Sequence, residues 1–179
     1  AANSWTVTAG TNHTPNGFRL TDYNEVLFAT YNATAAAAAT LRLIDETGAT
    51  LQSFTITDTA MGGSLVFSCA TAQEFNGNSL FGVNIEPNSG PNSVVYLNKL
   101  DQTFNVIWEK YIDWGMSVNI TAITRTMDSC IVLLLNTANG LAIHKMNSAG
   151  DSLWTQFHNR PTSGSGFRFS ECSDGGFLI

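Results

Sequence analysis

Apolar runs of strand length recur along the chain and are separated by short segments rich in Gly, Asn and Asp. The clearest runs are residues 4–8, 25–30, 40–44, 64–68, 94–100 and 130–135. Asn-Gly, Gly-Gly and Asp-Gly-Gly sequences lie between them, and such sequences favour tight hairpin turns. The most helix-like stretch, Ala35–Ala39, is too short to nucleate a stable helix in water. The pattern therefore predicts strands joined by hairpins and almost no helix.

One strand–turn–strand element recurs, which indicates an internal structural repeat. Its copies are residues 43–51, 99–108 and 145–154. Each copy has an apolar strand, then Asp or Asn, then a turn, and then an aliphatic residue that usually precedes Trp. The Asp or Asn can hydrogen-bond to the backbone of its own turn. These turn residues are Asp45, Asp101 and Asn147.

The turn of this element needs a residue with positive φ, which Gly48 and Gly150 can supply in two copies. Phe104 replaces the glycine in the second copy, and we expect Asn105 to be the left-handed residue there. A second element, Gly-Phe-Arg at 17–19 and 166–168, leads through a polar turn into another apolar strand. Together the two elements make a unit of four short strands over roughly 45–55 residues, within the range of a propeller blade.

Residues Tyr96–Asp101, Trp108–Lys110 and Asp174–Phe177 follow roughly the pattern LxKLDxxGxxxWxK and then DGG with an aromatic residue. By this pattern the chain, from about Trp5 to Ile179, resembles the repeats of secreted bacterial and phage-encoded β-propellers. The resemblance implies an all-β fold, a β-propeller of four-stranded antiparallel blades. The blade repeats would be about 5–53, 54–107 and 108–153, with a partial repeat at 154–179.

The turn is also similar, more distantly, to that of pyrroloquinoline-quinone enzymes, in which a Trp after the turn packs between neighbouring blades. By that resemblance Trp108 and Trp154 are expected to dock blades, and Trp5 would be their counterpart from an earlier blade. The first complete repeat departs from the pattern because Gln52 stands where Trp is expected. The other structural positions implied for the docking turn are Asp45, Asp101 and Asn147.

Two interpretations of the chain length stay open. The strands amount to a leading strand at Trp5, three four-strand units and two strands that end at Ile179, whereas a propeller normally needs at least ~4 blades to close. Either the Trp5 strand joins the last two strands in a small four-bladed ring, or the chain is a segment of a longer protein. We favour the segment, and we expect residues 1–179 to form one partial or small propeller domain.

Composition limits the expected partners. Charged residues make up only 12%, the formal net charge is -6, and the eight Lys and Arg residues are scattered. Because binding to nucleic-acid phosphates needs clustered basic residues, we expect no nucleic-acid partner. No apolar run approaches the ~18–20 residues that span a bilayer, so we expect no membrane insertion.

The sequence contains no recognisable catalytic motif. His13, His144 and His158 are far apart and form no metal-binding histidine pattern. There is no nucleophile elbow, phosphate-binding glycine loop or calcium loop, and the adjacent cysteines and metal-binding carboxylates of quinone-dependent propellers are not found. His144 lies in an apolar run, where we expect a structural role. We therefore expect no enzyme activity, no cofactor and no metal.

A ligand site is expected at the connections between the outer strand of one blade and the inner strand of the next, which surround one mouth of a propeller channel. Trp114 stands out there, because Asp113 and Gly115 on either side are typical of a loop. An exposed Trp beside carboxylate and Arg side chains can stack on a sugar and hydrogen-bond to it. The alternative is that Trp114 covers the edge of its blade. The candidate ligand-binding residues are Trp114, Asp113, His158, Arg160 and His13.

Two classes of function stay open. The first is a non-catalytic structural or adhesive module on a cell surface or virion, which binds a glycan or protein and contacts other subunits of an assembly. The low charge and the many Asn and Thr residues suit such an extracellular surface. The second is the propeller part of an extracellular enzyme, a hydrolase or quinone-dependent oxidoreductase, with its active-site residues mostly outside this segment. We favour the first class.

Overall fold

The computed structural model describes residues 13–21, 24–32, 38–57, 65–86, 92–159 and 169–178, and for 13–18 and 65–67 it describes the backbone alone. Within these ranges the chain forms β-strands and no helix. The strands are β1 His13–Leu20, β2 Val26–Asn32, β3 Ala38–Ile44, β4 Thr50–Thr57, β5 Leu65–Gln73, β6 Ser79–Glu86, β7 Val94–Leu100, β8 Val106–Ile112, β9 Val118–Arg125, β10 Ile131–Thr137, β11 Gly140–Met146, β12 Ser152–Asn159, β13 Ser170–Glu171 and β14 Phe177–Leu178.

Consecutive strands pair antiparallel in chain order, so each sheet is a meander. Strands β1–β4, β5–β8 and β9–β12 form three four-stranded sheets, which we call the first, second and third blades, and β13 pairs with β14. The predicted all-β, propeller-like fold of four-stranded antiparallel blades is therefore confirmed. Trp5 lies outside the described residues, so its predicted strand and docking role stay predictions.

A bulge recurs in the fourth strand of each of the three blades, which is the outer strand of a propeller blade. The pairing register skips Leu51 in β4, Ile107 in β8 and Leu153 in β12. An extra residue of this kind reverses the alternation of side chains beyond it. The predicted sequence repeats end at residues 53, 107 and 153, which lie inside these same strands. The boundaries of the sequence repeats therefore fall within the fourth strands and not between the sheets.

A single turn geometry joins the first strand to the second and the third strand to the fourth. In each turn the N–H of the first residue donates to the carbonyl of the fifth, and the N–H of the fourth donates to the carbonyl of the first. The fourth residue always has positive φ. Because strand direction alternates, all these turns lie at one end of the blades, the turn end. They are 21–25, 45–49, 74–78, 101–105, 126–130, 147–151 and 172–176.

The expectation that Asn105 is the left-handed residue of the second copy is wrong. Phe104 itself has φ of 63°. Its ring is only 7% exposed and packs in the core between the first and second blades. Left-handed backbone costs a non-glycine residue about 1–2 kcal/mol, and burying a Phe side chain contributes about 1.5–3 kcal/mol, so the burial offsets the strain.

Both faces of the second blade are buried, because it is packed between its two neighbours. Alternate residues of β6 divide between the two cores: Phe81, Val83 and Ile85 face the first blade, and Leu80 faces the third. A further cluster joins the third blade to the β13–β14 sheet through Phe169 and Phe177. The third-blade residues of that cluster are Val132, Leu134, Leu141 and Ile143.

A polar bridge crosses the buried interface between the second and third blades. Asn84 is fully buried; its Nδ2 donates to the Val118 carbonyl at 2.5 Å, and its Oδ1 accepts from the Ile120 N–H. Ser93 Oγ donates to the same Val118 carbonyl at 2.6 Å and accepts from the Val118 N–H at 2.9 Å. Strand β9 is an edge strand of its sheet, so these side chains satisfy backbone groups that strand pairing leaves open.

We predict opposite responses to substitution at the two fully buried asparagines of the second blade. Asn84→Leu leaves the Ile120 N–H without its partner, whereas the Val118 carbonyl keeps the hydrogen bond from Ser93, so we expect the free energy of unfolding to fall by about 1–3 kcal/mol. Asn98 has no hydrogen-bond partner for its amide among the described residues. We therefore expect Asn98→Leu to leave this free energy unchanged or raise it. Equilibrium urea unfolding measures both, and equal losses would contradict the bridge.

Asp101 supports its turn through its carboxylate. Its Oδ1 accepts from the N–H groups of Thr103 at 2.8 Å and Asn105 at 2.9 Å. The hydrogen bond from the Asn105 N–H, and then that from the Thr103 hydroxyl, lower the pKa of Asp101 to about 2. In the third copy the amide oxygen of Asn147 makes the same two backbone contacts, at 3.0 Å to Ala149 and 2.9 Å to Asp151.

We predict that Asp101→Ala lowers the melting temperature at pH 7 and that Asp101→Asn, which keeps the acceptor, lowers it less. The pKa of Asp101 is depressed in the folded state, so its stabilisation is present above the ordinary aspartate pKa of 3.8 and is lost as pH falls through about 2. Melting temperatures measured between pH 5 and 2 should therefore fall more steeply in the wild type than in Asp101→Asn. Parallel curves would contradict this role.

Candidate functional site

Trp114 and Asp113 lie at the end of the blades opposite the turn end. Asp113 Oδ1 accepts from the N–H of Gly115 at 2.7 Å. Trp114 is half-buried and packs against the core between the second and third blades. Its ring meets that of His144 edge-on, with 5.1 Å between centroids. Part of the indole is therefore engaged in covering this core.

His144 is a buried residue of the third blade, as its apolar surroundings predict. Its Nδ1 lies 2.7 Å from Thr155 Oγ1, and its Nε2 has no hydrogen-bond partner among the described residues. Burial lowers the pKa of His144. The neutral ring is therefore favoured, which suits contact with Trp114 in an apolar core.

The structure does not bring His158 together with Trp114. His158 is exposed on β12 and is the cross-strand partner of Leu141, which faces the β13–β14 sheet. Trp114 packs on the opposite face of the third blade, where Ala142 and Met146 lie. His13 begins β1 with only its backbone described, and Arg160 lies outside the described residues.

Glu109 and the neighbouring tyrosines form a contact on the face of the second blade that meets the first. The Tyr96 hydroxyl donates to Glu109 Oε2, and the Tyr96 and Tyr111 rings stack with 4.4 Å between centroids. Burial, and then the Glu109 carboxylate, raise the pKa of Tyr96. Across the described ranges no three His, Cys, Asp or Glu residues are grouped so that they could hold a metal. Nor do these ranges contain a helix that could cross a membrane.

Trp108 lies between the second and third blades. Its ring packs against their shared core, and its Nε1 donates to the Ser148 carbonyl in the 147–151 turn at 3.3 Å. A Cβ on Gly150 would lie 3.2 Å from the Trp108 ring and 3.1 Å from Lys110 Cε. Glycine thus suits position 150, where φ is positive, and its lack of a Cβ allows this close approach.

Trp154 has the corresponding position in the third blade but is 39% exposed. The turn that contacts Trp108 joins the third and fourth strands of the following blade. Strands β13 and β14 correspond to a first and a second strand, so the described part of the chain contains no such turn beside Trp154. The two tryptophans therefore share a strand position but not an environment.

Two clefts formed by described residues lie at the turn end, where sequence reasoning did not place a site. A first cleft of about 260 Å³ opens between the first and second blades, and a second cleft of about 290 Å³ opens between the second and third. The first cleft is lined by Glu25, Leu43, Gln73, Gly77, Ser79, Gln102 and Phe104. The second cleft is lined by Glu74, Phe75, Asn76, Lys99, Arg125, Ser129 and Ser148.

The two clefts are repeat-equivalent. Leu43 and Lys99 each lie two residues before the Asp of the second turn, and Gln73 and Arg125 each end the first strand of their blade. Gly77 and Ser129 are both fourth residues of the first turn. The same cleft geometry is thus lined by different side chains at successive interfaces. The sequence feature that could have indicated the second cleft is Lys99, a charged residue inside a largely apolar strand.

The second cleft is the more highly charged. Lys99 Nζ pairs with Glu74 Oε2 at 2.8 Å, and both side chains are largely buried. Lys99 Nζ also donates to the Ser148 carbonyl of the third blade at 3.1 Å. The Arg125 guanidinium carbon lies 3.3 Å from the centroid of the Phe75 ring, which is 60% exposed. Two cations and one carboxylate therefore line this cleft, in a chain whose net charge is negative.

The same positions form polar contacts at the next interface. Lys145, the counterpart of Lys99, pairs with Asp128 Oδ2 at 2.8 Å and holds the pKa of Asp128 below its usual range. Glu171, the counterpart of Arg125, accepts from the N–H of Met127 at 2.8 Å. Met127 corresponds to Phe75 and is also highly exposed. The turn end thus presents comparable positions at every described interface.

No family model and no curated protein matches the chain. Among solved structures, it is similar to a protein of unknown function from Bacteroides caccae, with a TM-score of 0.63 and 15% sequence identity. The similarity covers 97% of this chain and 55% of that protein, so the chain spans about half of its length. At this identity the similarity shows the fold alone.

We predict that the two tryptophans differ in their contribution to stability. Trp108→Ala should lower the free energy of unfolding by about 2–3 kcal/mol, somewhat less than the ~3–5 kcal/mol of a fully buried Trp. Trp154→Ala should cost less than about 1.5 kcal/mol, because its indole is more exposed and has no equivalent turn among the described residues. Chemical denaturation of both variants measures the difference. A larger loss for Trp154→Ala would contradict the packing described for Trp108.

Proposed function

We propose that this chain is a non-catalytic repeat module that binds glycans at its turn end, as a structural or adhesive part of a cell surface or virion. The observation that carries the proposal is the recurrence of one cleft geometry at two successive blade interfaces with different side chains in it. A scaffold of this kind offers several related sites on one face, which suits adhesion to a repeating polymer.

The cleft walls are pre-organised by backbone hydrogen bonds. Each turn closes on itself through its own N–H and carbonyl groups, so the chain conformation at the cleft does not depend on most of the lining side chains. Rigid sites of this kind lose little conformational entropy when a ligand binds. An exposed side chain in such a turn, as at Phe75, can therefore serve recognition rather than folding.

The second cleft has the mixture of groups that suits a sugar. Phe75 offers an exposed aromatic surface, and Asn76 and Ser129 bring amide and hydroxyl groups to the same cleft. A sugar ring has apolar C–H surfaces and a rim of hydroxyls, so it can use both kinds of contact. The volume of about 290 Å³ is at the lower end of ligand pockets, which favours a single ring over a peptide segment.

We predict that Phe75→Ala weakens glycan binding at least about tenfold, as is usual when an aromatic anchor is removed. Met127→Ala is the matched control, because it removes the exposed apolar side chain of the same turn position in the third blade. The full chain is screened on a broad glycan array, and dissociation constants for the retained glycans are then measured by calorimetry for the wild type and both variants. Met127→Ala should remain within about twofold of the wild type.

Three results would overturn the proposal. If the wild type retains no glycan on the array, glycan binding fails. If Phe75→Ala and Met127→Ala weaken binding equally, the second cleft is not the site. If a retained glycan is cleaved or oxidised during the assay, the enzymatic alternative replaces the non-catalytic one.

A further inference from the structure

We propose that the first and second clefts are adjacent subsites for one linear, neutral glycan, which crosses the turn end of the second blade from one cleft to the other. This inference rests on the proposed function and names the form of its ligand, a chain of sugar units rather than a single terminal sugar. It follows from the wall that the two clefts share, from the Gln102 side chain on that wall and from the lining of the first cleft.

The second blade forms a wall of both clefts, and its 74–78 turn lies between them. Gly77 lines the first cleft, whereas Phe75 and Asn76 line the second. Neighbouring residues of a single turn therefore belong to two different sites. Sheets pack face to face about 10 Å apart, so equivalent points at successive blade interfaces are separated by about this distance. A short glycan chain can span it.

The Gln102 side chain lies across this turn. Gln102 is exposed and lines the first cleft, and its Nε2 donates to the carbonyl of Asn76, which lines the second, at 2.7 Å. A Cβ on Gly77 would lie 3.1 Å from the same Nε2, so the side chain rests against the glycine. A primary amide has two N–H donors and a carbonyl acceptor, and this contact uses one donor. A glycan that passes between the clefts thus meets an amide held at the crossing.

The turn under the crossing is held by its own hydrogen bonds. The Gly77 N–H donates to the Glu74 carbonyl at 3.0 Å, and the Glu74 N–H donates to the Asn78 carbonyl at 2.8 Å. Asn76 Oδ1 accepts from the Asn78 N–H at 3.1 Å. The separation of the two subsites is therefore set by the folded backbone. When two sites are held at a fixed separation, binding of one chain to both raises its affinity above that for either site.

The lining of the first cleft suits a neutral chain. It contains the Glu25 carboxylate and the Ser79 hydroxyl, and no Lys or Arg is among its described lining residues. A carboxylate accepts hydrogen bonds from sugar hydroxyls and repels a negatively charged unit. The backbone of Glu25 closes its turn, because its N–H donates to Thr21 Oγ1 at 3.1 Å and its carbonyl accepts from the Thr21 N–H at 2.7 Å. Glu25→Ala therefore removes the carboxylate from the cleft and keeps these contacts.

The test measures how affinity depends on glycan length. Glucan, mannan, xylan and chitin oligosaccharides are titrated by calorimetry into the full chain, from the single unit upward in each series, and a galacturonan series supplies chains that carry carboxylates. Glu25→Ala weakens the first cleft, and Phe75→Ala weakens the second. Gln102→Ala removes the amide at the crossing. Glu46→Ala is the matched control, because Glu46 is the second residue of the equivalent turn in the first blade and lines neither cleft.

We expect, in at least one neutral series, wild-type affinity to rise about tenfold or more at the length that first spans both clefts, with one glycan bound per protein molecule. Glu25→Ala should remove most of this rise and leave the shortest bound member unaffected, because the second cleft holds it. Phe75→Ala should weaken every length. Gln102→Ala should reduce the rise, and Glu46→Ala should keep all of it. The galacturonan series should show no rise.

Failure of this inference differs from failure of the proposed function. If the wild type retains no glycan on the array, both fail. If glycans bind but affinity rises only gradually with length, or if two long glycans bind one protein molecule, the clefts act separately and this inference alone is overturned. It is also overturned if Glu46→Ala removes the rise as fully as Glu25→Ala. An equal rise in the galacturonan series would overturn the neutral assignment. Should Glu25→Ala fail to fold, Gln102→Ala and the wild-type stoichiometry decide the matter.

Discussion

The closed turn at one end of the blades is the constraint on which the other features depend. Its two backbone hydrogen bonds occur with a positive-φ residue in fourth position in every described turn, and in the 147–151 turn this residue lies against the neighbouring blade. At Gly150 the approach is close enough that a Cβ would contact Trp108 and Lys110. The turn therefore ends a hairpin and at the same time sets how one blade contacts the next.

Between the blades, apolar packing and polar bridges have different tasks. The buried aliphatic residues supply most of the free energy, in proportion to the area that they remove from water. Asn84 and Ser93 instead satisfy backbone groups of the edge strand β9, which would otherwise be buried without partners. The relative placement of the second and third blades is thus specified by hydrogen-bond geometry, which shape-tolerant aliphatic contacts cannot specify alone.

Sequence reasoning succeeded where structure is local. The strands, the Asp45 and Asp101 turns and the four-strand unit follow from spacing within a few residues, and the all-β, propeller-like blades are confirmed. It failed for Phe104, because the energy that permits positive φ there comes from burial against another blade. Sequence reasoning did not identify the clefts either, because Phe75 and Arg125 lie on different blades and come into contact only when the blades pack. The lesson is that contacts between repeats, unlike those within a repeat, are not encoded by local spacing.

The second cleft has one wall whose side chains stabilise the fold and another wall whose side chains do not. Removing either Lys99 or Glu74 would leave the other charge buried, at a cost of about 3–5 kcal/mol, so this pair is tied to the stability of the interface. Phe75 is mostly exposed in a turn whose backbone hydrogen bonds do not involve its side chain. Arg125 contacts it from the third blade, and Gln73 has the same position at the first interface. The side chains of this second wall therefore differ between the two interfaces, whereas the turn backbone behind them is the same.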